Sequence, residues 1–79
     1  MTKGEYRVGI NFNPSGNDLV DKIKRQAADL IDYIETIPHD PEIERSTERA
    51  RLKSLAQTAV EEAAMWAVKA ATKPIFSNS

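Results

Sequence analysis

Between Pro41 and Pro74 the chain contains neither glycine nor proline. So long a stretch without a helix breaker leaves few outcomes in a chain of 79 residues. Asp40 suits an N-cap, Pro41 suits a first helical position, and Glu42 and Glu44 favour the positive end of a helix dipole. The pattern predicts a helix of about 32 residues, or about 48 Å. Its first turns, "EIERSTERAR", are polar and are expected to fray.

A second helix is expected before it. Val20, Ile23, Ala27, Leu30 and Ile34 recur at spacings of three and four, an apolar helix seam that Leu19 and Ile31 widen. Asp18 and Asp21 place negative charge in the first turn, where the dipole favours it. Thr36 to Pro38 ends this helix, because a residue before proline is biased away from helical geometry. It is about 30 Å long. A connection of three or four residues joins the two helices, which predicts an antiparallel αα-hairpin. Ahead of it, "YRVGINF" alternates weakly and suggests a short extended segment. "NPSGN" is turn chemistry, with Asn17 or Ser15 placed to cap the next helix. The expected fold is therefore all-α. An N-terminal segment and turn occupy residues 1–16, a helical hairpin domain occupies 17–74, and a loose tail occupies 75–79.

A hairpin this small cannot bury much. A single core of this size supplies roughly 3–5 kcal/mol, and small scaffolds add disulfides, metals or partner subunits. The chain has no cysteine and one histidine, His39, so disulfides and a zinc site are not expected. Laid antiparallel from the Pro38 turn, the shorter helix begins opposite about Glu61. Glu61 to Thr72 would then project past it, carrying Met65, Trp66 and Val68. Ala56, Ala59, Ala63, Ala67 and Ala70 line several faces of the longer helix and let other helices approach closely. This surface reads as an interface between copies of the chain. The plainer reading is that alanine is simply the best helix former.

Several function classes are disfavoured. The net charge is −1, without the basic excess of a protein that coats long nucleic acids. No run approaches the ~18 apolar residues of a membrane span. "MTKGEYRVG" has no apolar h-region, so a cytoplasmic location is expected. Catalysis has little to work with: the serines have no obvious base, and Glu61 and Glu62 point different ways on a helix. No Glu-x-x-His motif is present, and no cofactor is expected. Binding has more. Asn11, Phe12, Asn13, Ser15, Gly16 and Asn17 bring amides, a hydroxyl, backbone N–H groups and a ring to a helix N-terminus. Such a turn can cradle a phosphate or simply cap the helix. Lys24 borders the seam within reach of that turn. Tyr6, Arg7, Arg51, Thr58 and Lys69 complete the candidate ligand-binding set. The plainer reading of Thr58 is a bond back to its own helix.

"NPSGNDLVDKIKRQAADLIDYIE" followed by "LAQTAVEEAAMWAVKAATKP" closely resembles a phage family. Its members are the anti-CBASS cyclic-oligonucleotide sponges and the hairpin domain of Thoeris anti-defence sponges. The likeness covers residues 7–74. It implies a homohexamer of helical hairpins that sequesters immune signalling nucleotides without cleaving them. Cyclic dinucleotides would sit between pairs of protomers, and cyclic trinucleotides at separate sites. In the Thoeris branch the ligand is a cyclic ADP-ribose isomer. By the same resemblance, Lys24 matches a lysine that contacts ligand phosphate. Phe12 or Tyr6 matches a ring that stacks on a base. Arg51 matches an arginine of the trinucleotide site, Lys69 a basic position, and Thr58 a family threonine. Ala59 departs from the histidine of many relatives. The competing readings are an adaptor built on the same hairpins and a small enzyme that degrades the signal.

Overall fold

Thr2 and Glu5 begin the fold with reciprocal hydrogen bonds. The Glu5 N–H donates to the Thr2 hydroxyl at 3.1 Å, and the Thr2 N–H donates to the Glu5 carboxylate at 2.8 Å. This capping box satisfies two donors that a helix N-terminus leaves orphaned. Seven residues after Thr2, Gly9 turns left-handed, with φ of 64°. Its neighbour's N–H, on Ile10, reaches back to the Glu5 carbonyl at 3.0 Å, closing the helix as a Schellman motif. Residues between these caps form a helix, α1 (Lys3–Val8), in the computed structural model, which describes residues 1–39 and 41–75. For residues 43–46 the helical backbone alone is described. The short extended segment expected here is thus a helix, and no strand occurs among the described residues. The weak alternation of "YRVGINF" loses to good caps at both ends.

Six residues are too few for a free-standing helix. What fixes α1 is its crossing over the next helix, α2 (Asp18–Glu35). Gly4 is buried against the Ala28 backbone so closely that a Cβ would sit 2.1 Å from the Ala28 carbonyl oxygen. At the crossing, the Gly4 N–H donates to the Asp32 carboxylate at 2.7 Å. Lys3 adds contacts to Glu35 at 2.7 Å and to the Gln57 amide oxygen at 2.9 Å.

Helix α2 starts and stops where expected. Asn17 is its N-cap, its side chain accepting the Leu19 N–H at 2.8 Å. Its buried stripe, however, is Val20, Lys24, Ala28 and Ile31. Leu19 and Leu30 face water, and Ile23, Ala27 and Ile34 are half-buried. The stripe is rotated from the expected seam because two elements cover α2: α1 on one flank and α3 (Ile43–Thr72) on the other. Lys24 therefore lies inside the stripe and not at its border.

Helix α3 begins at Ile43 with Glu42 as N-cap, two residues later than the position proposed for Pro41. Prolines 38 and 41 keep the segment before it out of helical geometry. The cap proposed at Asp40 falls outside the described residues. The antiparallel register is set by polar contacts. Gln57 donates to the Ile31 carbonyl at 3.1 Å and to Glu35 at 2.9 Å, and Lys53 donates to the Ile37 carbonyl at 3.1 Å. Val20 and Lys24 then share a groove with Val68 and Thr72. The expected projection of Glu61 to Thr72 is thereby overturned. The unmatched part of α3 is its first turns: with Gln57 at Ile31 and Lys53 at Ile37, the residues of α3 before Lys53 lie beyond the end of α2.

The described chain extends over 62 × 27 × 13 Å. Its buried apolar side chains are Val20, Ala28, Ile31 and Ala64. Every buried side-chain nitrogen and oxygen among the described residues has a hydrogen-bond partner. On the side of α3 turned from α2, Leu52, Leu55 and Trp66 are each about half exposed, with Ala59, Ala63 and Ala70 between and beyond them. That is a second apolar stripe at helical spacing which the described residues do not cover. At the far end Ile75 is exposed; the rest of the expected loose tail, 76–79, falls outside the described residues.

Candidate functional site

The loop between α1 and α2 is held by one ammonium group. Lys24 is 6% exposed. Its Nζ donates to the Gly9 carbonyl at 2.9 Å and to the Phe12 carbonyl, and it lies 5.4 Å from the centre of the Phe12 ring. Carbonyl dipoles and a ring face attract a cation without neutralising it. No carboxylate of the described residues forms an ion pair with Lys24.

Lys24 opens on two grooves between this loop and the C-terminal half of α3. One has a volume of about 240 Å³ and is lined by Phe12, Asn13, Pro14, Ser15, Val20, Val68 and Thr72 besides Lys24. The other, about 300 Å³, is lined by Arg7, Val8, Glu61, Ala64, Met65 and Val68 with Lys24. Each is at or below the lower end of the roughly 300–1,000 Å³ usual for a small-molecule site. Both are half open to solvent, so a ligand larger than either would need walls from elsewhere.

The fold brings part of the expected set together here. Phe12, Asn13, Ser15 and Lys24 line the first groove, and Arg7 joins Lys24 in the second. Arg7 is oriented from α3: its Nε donates to Glu61 at 2.6 Å and its guanidinium to the Thr58 hydroxyl at 3.2 Å. Thr58 thus holds Arg7. The turn residues are largely spent on the turn. The Asn13 amide donates to the Asn17 carbonyl at 2.8 Å and to Asp21 at 2.9 Å, and its oxygen accepts from Ser15 and from the Asn17 N–H. Gly16 donates its N–H to the Asn13 carbonyl at 3.1 Å. Of the two readings of "NPSGN", helix capping is the one these bonds describe.

Other candidates lie elsewhere. Tyr6 projects from α1 and is exposed. Asn11 lines a shallow, open groove with Ile10, Asp21, Lys22 and Arg25. Arg51 is on the first turns of α3, paired with Glu48 at 2.6 Å, which holds that carboxyl below its ordinary range. Lys69 sits 5.6 Å from the Trp66 ring on the outer side of α3.

Sequence reasoning passed over Val8, Glu61, Met65 and Val68. As a general acid or base Glu61 has little support in the sequence. Its signal was its place three residues after Thr58, which puts both side chains on one face. Among the described residues no cluster of His, Cys, Asp or Glu could hold a metal ion. None of the described helices is long and apolar enough to cross a membrane.

No curated protein and no solved structure is significantly similar to the chain. A family model does match, the Acb2/Tad1 hairpin domain, over residues 4–72. The match takes in α1 from Gly4 onward, both long helices and every residue lining the two grooves. The chain belongs to the Acb2/Tad1 hairpin-domain family, the anti-CBASS and anti-Thoeris sponges that its sequence resembles.

Proposed function

We propose that this protein binds cyclic nucleotide immune signals and sequesters them uncleaved, so that antiphage defence is not triggered. The observation that carries the reading is Lys24: a buried ammonium, held by dipoles and a ring and ion-paired to no carboxylate among the described residues, that opens on two grooves. Burial of a charge is unfavourable unless it is paired. A phosphate in either groove would supply the missing anion. Phe12, beside Lys24 and exposed on its outer side, is the ring for a base, in preference to Tyr6. Stacking of that kind is worth roughly 1–3 kcal/mol per base.

In this reading the chain acts as a homo-oligomer, a hexamer by resemblance to its family. The uncovered stripe of α3 supports that, as do grooves too small to enclose a cyclic dinucleotide alone. A twofold arrangement would present Lys24 and Phe12 twice to a ligand that is itself roughly twofold. Cyclic dinucleotides, cyclic trinucleotides and cyclic ADP-ribose isomers are the ligand classes to test. Arg51 and Lys69 remain assigned to the ligand by family resemblance, and Asn11 and the turn residues by their polar groups beside the start of α2. The place of action is the host cytoplasm.

The test is native mass spectrometry with a panel of these nucleotides, followed by denaturation and chromatography. The expected result is an oligomer carrying a fixed number of ligands, recovered intact. Nucleotide fragments would point to an enzyme. An oligomer that takes no member of the panel would favour the adaptor reading, for which the exposed Leu52, Leu55 and Trp66 are the supporting observation.

A further inference from the structure

Among the residues lining the larger of the two grooves at Lys24 are two cations and one carboxylate: Arg7, Lys24 and Glu61. Glu61 grips Arg7 at 2.6 Å, with the arginine side chain mostly covered and the glutamate about two-fifths exposed. As a link between helices the pair is dispensable. α1 is already fixed by the Gly4–Ala28 crossing, the Asp32 hydrogen bond and the Lys3 contacts, and partly exposed ion pairs contribute little to stability. Its larger consequence is charge. Without Glu61 the groove would present two positive charges; with it, one.

We propose that Glu61 is a specificity-determining residue, an internal anion that tunes the groove to phosphodiesters and turns away nucleotides with terminal phosphates. This rests on the cyclic-nucleotide reading above. A phosphodiester carries one negative charge, which Lys24 alone can answer. A terminal phosphate carries about two, and a triphosphate adds more alongside it. Seated at Lys24, such a chain would bring its excess charge towards Glu61, whose carboxylate repels it and already occupies Arg7. Discrimination by a repulsive element is a general device. The device matters here because linear nucleotides outnumber signalling nucleotides in any cell.

The experiment measures cyclic diadenylate and ATP, without metal, against the full chain and three variants by calorimetry and competition. Glu61→Gln keeps the side chain's shape and its acceptor oxygen for Arg7 while removing the charge. It should raise ATP affinity about tenfold, and at least about threefold more than it raises cyclic diadenylate affinity. Arg7→Gln should move the ratio the opposite way, and the double variant should return it to the starting value. Should Glu61→Gln loosen the fold, Arg7→Gln alone carries the test: ATP must weaken more than the cyclic ligand. If the parent chain binds cyclic diadenylate and the ratio does not move, the role of Glu61 is refuted while the sponge reading survives. If the parent chain binds none of the cyclic panel, both fall together.

Discussion

Helices α2 and α3 lie side by side but are made for different surroundings. α2 buries a single stripe, Val20–Lys24–Ala28–Ile31, and turns charge to water on its other side. α3 buries little beyond Gln57 and Ala64, and carries apolar residues around its circumference. A helix with one apolar stripe is completed by its own chain, whereas one that is apolar on several sides needs more neighbours. The difference separates what holds a protomer together from what is left for copies or ligands to cover.

The sharpest way to break the α2 side is Gly4→Ala. The added methyl would meet the Ala28 backbone, which cannot rotate away. A loss of about 3 kcal/mol is expected in urea unfolding, with α1 undocked. Unchanged stability would show that the crossing is looser than its geometry. On the α3 side, Trp66→Ala should leave the protomer's helicity intact. It should weaken self-association by about 2 kcal/mol, as loss of a buried aromatic anchor does, read by sedimentation over a dilution series. An unaltered association constant would remove the uncovered stripe from any interface.

Gln57→Leu probes the boundary between the two helices. It keeps the volume but removes the bonds to Ile31, Glu35 and Lys3, and should cost about 1–2 kcal/mol. A gain in stability would mean that the polar register is maintained for something other than folding. Acid gives a gentler handle. The Thr2 N–H, followed by Arg25, holds the Glu5 carboxyl at about 2; Gln57, followed by Lys3, does the same for Glu35. Both groups release their protons more readily folded than unfolded. Their contribution is complete above the ordinary carboxylate range and fades as pH falls from about 4.5 towards 2. Protection of the α1 amides against exchange, corrected for the intrinsic rate at each pH, should therefore fall over that window before that of α2 and α3. Simultaneous loss of all three would refute a separately docked α1. Least of all, Arg51→Ala, on the solvent-facing first turns of α3, should leave the melting temperature unchanged; any clear drop would reveal a hidden partner for that end.

The long helices were legible because their ends are written locally, in Asn17 with two early aspartates and in the prolines. The match of α3's outward alanines to an uncovered face was legible too. The N-terminal helix was not, although Thr2 and Glu5 stand at capping-box spacing. Six residues give too short a period to compete with an alternating reading, and the deciding contact, Gly4 on Ala28, spans distant positions. Register failed for a related reason. A connection assumed to be three or four residues is seven, and that difference moved the expected overhang to the wrong end of α3. Of the expected ligand-binding residues, Phe12 and Arg7 each share a groove with Lys24. Glu61, Met65 and Val68 meet them only through the register that the sequence left open.

The direction of α1 has a practical consequence for anyone who wishes to immobilise this protein or build a biosensor from it. Lys3 lies level with Glu35 and Gln57, midway along the hairpin, while Thr72 stands in the wall that faces Phe12. A handle or fluorophore fused before Met1 would emerge clear of the mouth, whereas the same label attached beyond Pro74 would crowd it.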